Sequence, residues 1–389
     1  MNQREAVIVG AGPAGLAVAA ELGRRGIRAL VLERSDGVGA SWRGRYDRLR
    51  LNSSRWSSQL PGARYARGTG VFPPRDEVVR YLEDYARALD VRASTSVERI
   101  DRDGDGWRLR TSTGEVAARH VIVATGYDHT PHIPAWRGRE EYSGRLLHAA
   151  DYRSPVAFQG ADVLVVGAGC SGMEIAYDLA TGGAARVRLA VRTSPNILLR
   201  SVLGPLLGRL VLKLGNARAD KVMRAAQRRT VGDLAPYGLP IPEEGMASRL
   251  ARLGVAPAII DKQTIRAIKE RRFEIVAAVE LLDRDGVVLA DGSRIEPDAV
   301  IAATGYRCGL ESMAGHLDVL NERGVPRAVL GEPAAPGLRF IGYVPVPAHL
   351  GRMGGEARRA AKAIVRDLSG SRATPELVLA ARRTLSASS

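Results

Sequence analysis

"AVIVGAGPAG", residues 6–15, and "VLVVGAGCSG", residues 163–172, are two copies of one pattern in a single chain. Each is an apolar, β-branched run that ends in G-x-G-x-x-G and passes into a helix-forming stretch. β-branched residues suit a strand buried on both faces. Gly10 and Gly167 permit the tight turn after the strand, Gly12 and Gly169 let backbone approach a pyrophosphate, and Gly15 and Gly172 let helix and strand pack closely. Free N–H groups and the dipole at each helix start favour an anion. The spacing predicts an α/β fold with two Rossmann-like dinucleotide-binding units.

Further repetition supports two related units. Each half carries a polar hairpin with DG turn chemistry, "VERIDRDGDGWRLRTSTGEV" at 97–116 and "VELLDRDGVVLADGSRI" at 279–295. Each ends in a buried-looking strand and the same tetrapeptide, "HVIVATGY" at 120–127 and "AVIAATGY" at 299–306. A further strand, "LRFIGY" at 338–343, and a helix, "GGEARRAAKAIVRDL", follow the second half. The second unit is therefore expected as an insertion into the first. The first unit occupies 1–155 and 301–389. The second occupies 156–300, with a lid-like insertion near 195–262.

The two loops differ in the residue that ends the next strand. After the first, "ALVLE" ends in Glu33, a carboxylate that accepts hydrogen bonds from ribose hydroxyls and repels a 2′-phosphate, which fits FAD. After the second, "VRLAVR" ends in Arg192, whose guanidinium suits the 2′-phosphate of NADPH. A solvated strand-end charge is the plainer reading of Arg192. Pro13, Ala14, Arg34, Cys170 and Ser171 flank these positions and complete the expected loop contacts. In "GVGASWRG", 37–44, Gly39, Ser41 and Trp42 are placed to wrap the FAD diphosphate and flavin, and Trp42 equally suits a core position. The helix expected from Gly354 and Gly355 directs its N-terminus at the flavin's pyrimidine side.

Composition excludes several classes. The 389 residues carry net charge +15, almost all of the basic residues being arginine, without a long basic run. With 5% aromatics, stacking platforms for single strands are scarce, and no nucleic-acid partner is expected. Cys170 and Cys308 form no CxxC, so no dithiol centre is expected, and six histidines show no metal-ligand spacing, so no metal is expected. The first strand begins within a few residues of Met1, leaving no room for a signal peptide. The apolar run "NILLRSVLGPLLGRLVLKLG", 196–215, is broken by Arg200, Arg209 and Lys213, short of the roughly 18 uncharged residues of a membrane span. The expectation is a cytoplasmic protein with no stable membrane anchor, and with a homodimer left open. The 196–214 stretch reads as a lid over a substrate channel in preference to a membrane contact, with Leu199, Leu203 and Leu207 either facing an apolar substrate or forming core.

Between the loops lies "YSGRLLHAADY", 142–152. It resembles the F-x-G-x-x-x-H-x-x-x-Y/F signature of class B flavin-dependent monooxygenases, the flavin-containing monooxygenase group and its YUCCA-type members, with Tyr142 replacing the leading Phe and Gly144, His148 and Tyr152 in register. Baeyer–Villiger members of the class carry Trp where Tyr152 stands. "RYDRLRLNSSRWSSQLPG" at 45–62, "FPPRDEVVRYLEDYA" at 72–86 and "IIDKQTIRAIKERRFEI" at 259–275 also look YUCCA-like, and the ATG segments, Thr125–Gly126 and Thr304–Gly305, are similar to the family's linkers. The resemblance implies that NADPH reduces FAD, that O2 adds at flavin C4a, and that the resulting (hydro)peroxyflavin passes one oxygen atom to a small organic substrate. A nitrogen or sulfur heteroatom, or a carbonyl such as an α-keto acid, would be the acceptor. It also implies that Asn52 stands near the reactive flavin edge, where YUCCA-type enzymes more often carry His; a loop-capping Asn is the alternative. His148 is expected either as an acid–base group or as a structural link between the units. An NAD(P)H-dependent flavin or quinone-type reductase, and a non-enzymatic flavoprotein redox sensor, are the rival readings.

Overall fold

The computed structural model describes residues 3–254, 256–344 and 349–385. Ala6, Val7, Ile8 and Val9 are at most 4% exposed, because the strand Arg4–Val9 lies between Leu30–Leu32 and Gly114–Val123, parallel to both. Asp90–Arg92 extends one edge in parallel, and Leu338–Phe340 joins Gly114–Val123 in parallel on the other. The first sheet thus takes up chain again after the second unit. The hairpin expected at 97–116 is an antiparallel meander of Val97–Asp103, Gly106–Thr111 and Gly114–Val123. Helices Pro13–Gly23, Arg75–Ala86 and His349–Leu385 cover one face, burying Leu16, Leu82 and Ile364 together. The meander and Glu311–Ala314 enclose Val7, Trp107 and Phe340 on the other.

The second sheet has five parallel strands in the order Glu274–Val276, Arg186–Ala190, Asp162–Val166, Ala299–Ala302 and Arg145–His148. Two of these cross the expected boundaries. Arg145–His148 precedes residue 156 yet pairs with Ala299–Ala302, which itself runs past residue 300. The reason is burial: an edge strand bearing Leu147 and His148 needs a partner for its backbone, and the inner neighbour is Ala299–Ala302. The second hairpin is a three-stranded antiparallel sheet of Val279–Leu282, Val287–Leu289 and Arg294–Ile295.

The insertion hangs from a two-stranded parallel ribbon, Ile197–Leu199 with Ala258–Ile260. Between these strands lie helices Gly204–Leu212, Asn216–Thr230 and Met246–Leu253. The two ATGY segments lead into the linkers that join the units, and these linkers pair antiparallel at Thr130–Pro131 and Tyr306–Arg307. Among the described residues, no helix is long and apolar enough to cross a membrane, and no cluster of His, Cys, Asp and Glu is arranged to hold a metal ion.

Candidate active site

Both glycine loops have the same geometry. Gly10 has φ +104° and Gly167 φ +111°, values that L side chains rarely adopt, and a Cβ would lie 2.8 Å from the Ala124 carbonyl in the first and 2.6 Å from the Ala303 carbonyl in the second. A Cβ on Gly15 or Gly172 would run into the carbonyl of Gly10 or Gly167 respectively. Gly12 and Gly169 have no neighbour within 4 Å of a Cβ position. Each is the N-cap of its helix, and neither helix start has a side-chain cap. Open space in front of unpaired N–H groups is what a phosphate requires.

The residues that end the next strands have distinct surroundings. Glu33 is buried, and its carboxylate accepts hydrogen bonds from the Ala11 N–H at 2.7 Å and the Ser35 N–H at 2.9 Å. It braces the first loop with lone pairs to spare for a ribose. Arg34 donates to His129 Nε2 at 2.9 Å. Burial, with Arg34 next in effect, lowers the pKa of His129 and keeps that nitrogen an acceptor. Gly39, at φ +67°, ties 37–44 to the first loop through its N–H to the Ala11 carbonyl, 3.1 Å. Arg192 is exposed and makes no ion pair among the described residues.

One cleft of about 500 Å³ joins the two units. Gly12, Pro13, Ala14, Ser41, Trp42, Asn52, Thr125 and Gly126 line it from the first unit, and Cys170 and Ser171 from the start of the second unit's nucleotide helix. The insertion supplies an apolar wall that includes Leu199, Leu212, Met246 and Leu250. Leu203 and Leu207 do not face this space. They are 60% and 53% exposed, on the outer side of Gly204–Leu212, because Pro205, Gly208 and Leu212 occupy the inner side. Gly354 is likewise displaced from its expected place. The described helix starts at His349, so Gly354 lies past its first turn and packs on Pro61. Leu350, Arg352 and Met353 are the residues of that helix that reach the cleft. Arg50 and Arg209 line the cleft without a carboxylate partner among the described residues, and Arg352 lines it beside Glu356, one helical turn on.

A buried polar chain crosses the cleft floor. Arg200 Nε donates to Asn52 Oδ1 at 3.1 Å, and the same guanidinium pairs with Glu174 Oε1. The Tyr46 hydroxyl donates to Glu174 Oε2 at 2.7 Å. The Arg200 and Glu174 side chains are only 7% and 3% exposed. Burial pushes the Glu174 pKa up, and Arg200 pulls it partly back. By holding Oδ1 of Asn52, Arg200 leaves the amide NH2 as the group free to donate. The chain links Tyr46 and Asn52 of the first unit, Glu174 of the second, and Arg200 of the insertion. Arg200 shows in the sequence only as a charge breaking an apolar run, and Glu174 as one acid inside "GMEIA". A lone charge in each apolar context was the available signal, but their pairing over 26 positions was not legible.

His148 is 2% exposed and does not line the cleft. Its Nδ1 accepts from the Ala150 N–H at 3.0 Å, so Nε2 carries the proton and donates to the Gly305 carbonyl at 2.9 Å. Burial lowers its pKa, and its ring stands edge-on to Tyr306 at 4.9 Å. Thr304 Oγ1 donates to the His132 carbonyl, and Thr125 Oγ1 pairs with the Tyr343 hydroxyl at 2.7 Å. With both ring nitrogens engaged, His148 has none free for a substrate. Cys170 Sγ accepts from the Ile259 N–H at 3.2 Å, and burial pushes its thiol up to about 11, far from the thiolate of a redox centre.

Residues 7–204 match the family described as pyridine nucleotide-disulphide oxidoreductase. An indole-3-pyruvate monooxygenase of the YUCCA group from Oryza sativa subsp. japonica is 37% identical over 321 residues, covering 79% of this chain and 78% of the relative. A mutant flavin monooxygenase from Stenotrophomonas maltophilia superposes with TM-score 0.73 at 25% identity, covering 95% of this chain and 100% of that one. A complex described as OTEMO with FAD and NADP shares the fold, with TM-score 0.70 at 17% identity over 95% of this chain and 85% of that one.

Proposed function

The chain belongs to the class B flavin monooxygenases, and from that premise we propose that it is an NADPH- and FAD-dependent enzyme that transfers one oxygen atom from O2 to a small organic substrate. The observation that carries this reading is the single cleft onto which Gly12 and Ser171 both open, each beside an uncapped helix start. Two nucleotides held there would bring a nicotinamide and a flavin toward the same space. FAD would lie on Gly10–Gly15, Glu33 and the 37–44 segment. NADPH would lie on Gly167–Gly172, with its 2′-phosphate on Arg192. Bound flavin supplies the oxygen-activating chemistry; the second oxygen atom leaves as water.

The chain's own residues would do the rest. The apolar insertion wall excludes water. Asn52, held at Oδ1 by Arg200, offers its NH2 into the cleft. His148 braces the second linker, at Gly305 and Tyr306, against the edge strand of the second sheet. Arg50 and Arg209, which have no carboxylate partner among the described residues, favour a substrate that carries a carboxylate, which within the substrate class places an α-keto acid ahead of neutral amines and thioethers.

Stopped-flow absorbance tests the proposal. The FAD-loaded protein, reduced anaerobically with NADPH, is mixed with oxygenated buffer. An absorbing species distinct from oxidised and reduced flavin, consumed faster with an aryl pyruvate than with a tertiary amine or thioether, is the expected result. Direct return to oxidised flavin with every substrate, each NADPH yielding peroxide, would replace the proposal with the reductase reading.

A further inference from the structure

Ten large apolar side chains are exposed among the described residues, and seven of them fall between 202 and 222: Val202, Leu203, Leu206, Leu207, Leu210, Leu214 and Val222. Such clustering marks an interaction surface rather than scattered exposure. The helix Gly204–Leu212 faces the cleft through Pro205, Gly208 and Leu212, and solvent through Leu206, Leu207 and Leu210. A helix apolar on both sides is stable where both sides are covered. Here the cleft covers only one.

The charge around the patch identifies the cover. Residues 202–230 hold seven Arg and Lys and one acid, Asp220. Asp220 is turned inward and accepts from the Ala247 N–H at 2.7 Å. Lys213, Arg218, Lys221, Arg228 and Arg229 are exposed, and none makes an ion pair among the described residues. A second copy laid on this face would bring two strongly cationic patches together, at a like-charge cost. A nucleic acid would match the charge but leave the leucines wet. An anionic bilayer surface satisfies both, with leucines at the acyl boundary and long basic side chains at the headgroups.

We propose that the hairpin of helices Gly204–Leu212 and Asn216–Thr230 docks reversibly on an anionic lipid surface. The proposal needs only the shape and charge of the insertion, so it stands apart from the oxygen-transfer reading. The full chain is sedimented with vesicles of phosphatidylcholine containing about one part in three phosphatidylglycerol, and with phosphatidylcholine alone. Several-fold greater binding to the anionic vesicles, weakening with salt, is expected. Leu207→Ser with Leu210→Ser lowers the partition roughly tenfold. Lys213→Glu with Lys221→Glu lowers it as well and flattens the salt dependence. These side chains are exposed, so unchanged melting of each variant shows that the fold is intact. A chain that stays in the supernatant with both vesicle types overturns the proposal. So does undiminished binding of the leucine variant, which would leave charge adhesion alone, and so does a wild-type dimer that the leucine variant dissociates, which would assign the face to a second copy.

Discussion

Arg192 and Arg200 are eight positions apart in the chain, yet one is exposed and makes no ion pair among the described residues and the other is almost wholly buried. Their substitutions separate accordingly. Arg192→Ala removes a charge-assisted contact that only a 2′-phosphate would make. The expected result is a rise in KM for NADPH of roughly tenfold or more with little change for NADH, measured by steady-state kinetics with both nucleotides. Equal effects on both would place the 2′-phosphate elsewhere. Arg200→Met leaves Glu174 buried without its partner, a loss of about 3 kcal/mol in chemical denaturation. The double substitution Arg200→Met with Glu174→Gln removes the uncompensated carboxylate and recovers part of that loss. Freed of its partner, Asn52 can rotate its amide, so the single variant is also expected to divert more NADPH to peroxide.

At the scale of elements, the loop-to-helix junction separates folding from binding. A Cβ at Gly12 meets nothing, whereas one at Gly15 meets the backbone carbonyl of Gly10. Gly12→Ala is therefore expected to leave the melting of the apoprotein unchanged and to lower FAD content on purification. Gly15→Ala, where backbone rather than a flexible side chain must give way, is expected to cost about 3 kcal/mol of stability, the upper end of ordinary overpacking. Loss of stability in Gly12→Ala would show that the space before the helix is structural. The insertion carries a related lesson. The lid expected at 196–214 contains the helix Gly204–Leu212, but Leu203 and Leu207 face solvent and not a substrate, because small Gly208 and Pro205 allow the closer approach to the cleft wall.

At the scale of the whole molecule, His148 ties the edge strand of the second sheet to the linker at Gly305. Its pKa is lowered, chiefly by burial, so the native state binds fewer protons than the unfolded chain near pH 6. Stability contributed by the neutral ring is fully present above the unfolded value of about 6.5 and is lost as pH falls through the lowered native value. Gly305 and Asp151 oppose this shift, and Arg45 and His132 reinforce it. His148→Asn is expected to reduce the slope of unfolding free energy between about pH 5 and 7, by at most about 1.4 kcal/mol per pH unit. The same variant should keep most of its FAD and lose NADPH-driven turnover, since His148 lies outside the cleft and holds the linker at Gly305. An unchanged pH slope together with unchanged turnover would remove His148 from that role.

Two nucleotide loops, the interruption of one unit by another and the sign of the charge at each strand end are local properties. Glycine spacing, β-branched runs and the ATGY repeat carry them, because turns and buried strands restrict which residues fit at each position. The edge strand Arg145–His148, the pairing of the two linkers and the Asn52–Arg200–Glu174–Tyr46 chain were decided only by tertiary structure. Each depends on backbone or side-chain partners far apart in the chain, and a polar group inside an apolar run does not announce which distant group will satisfy it once water is removed.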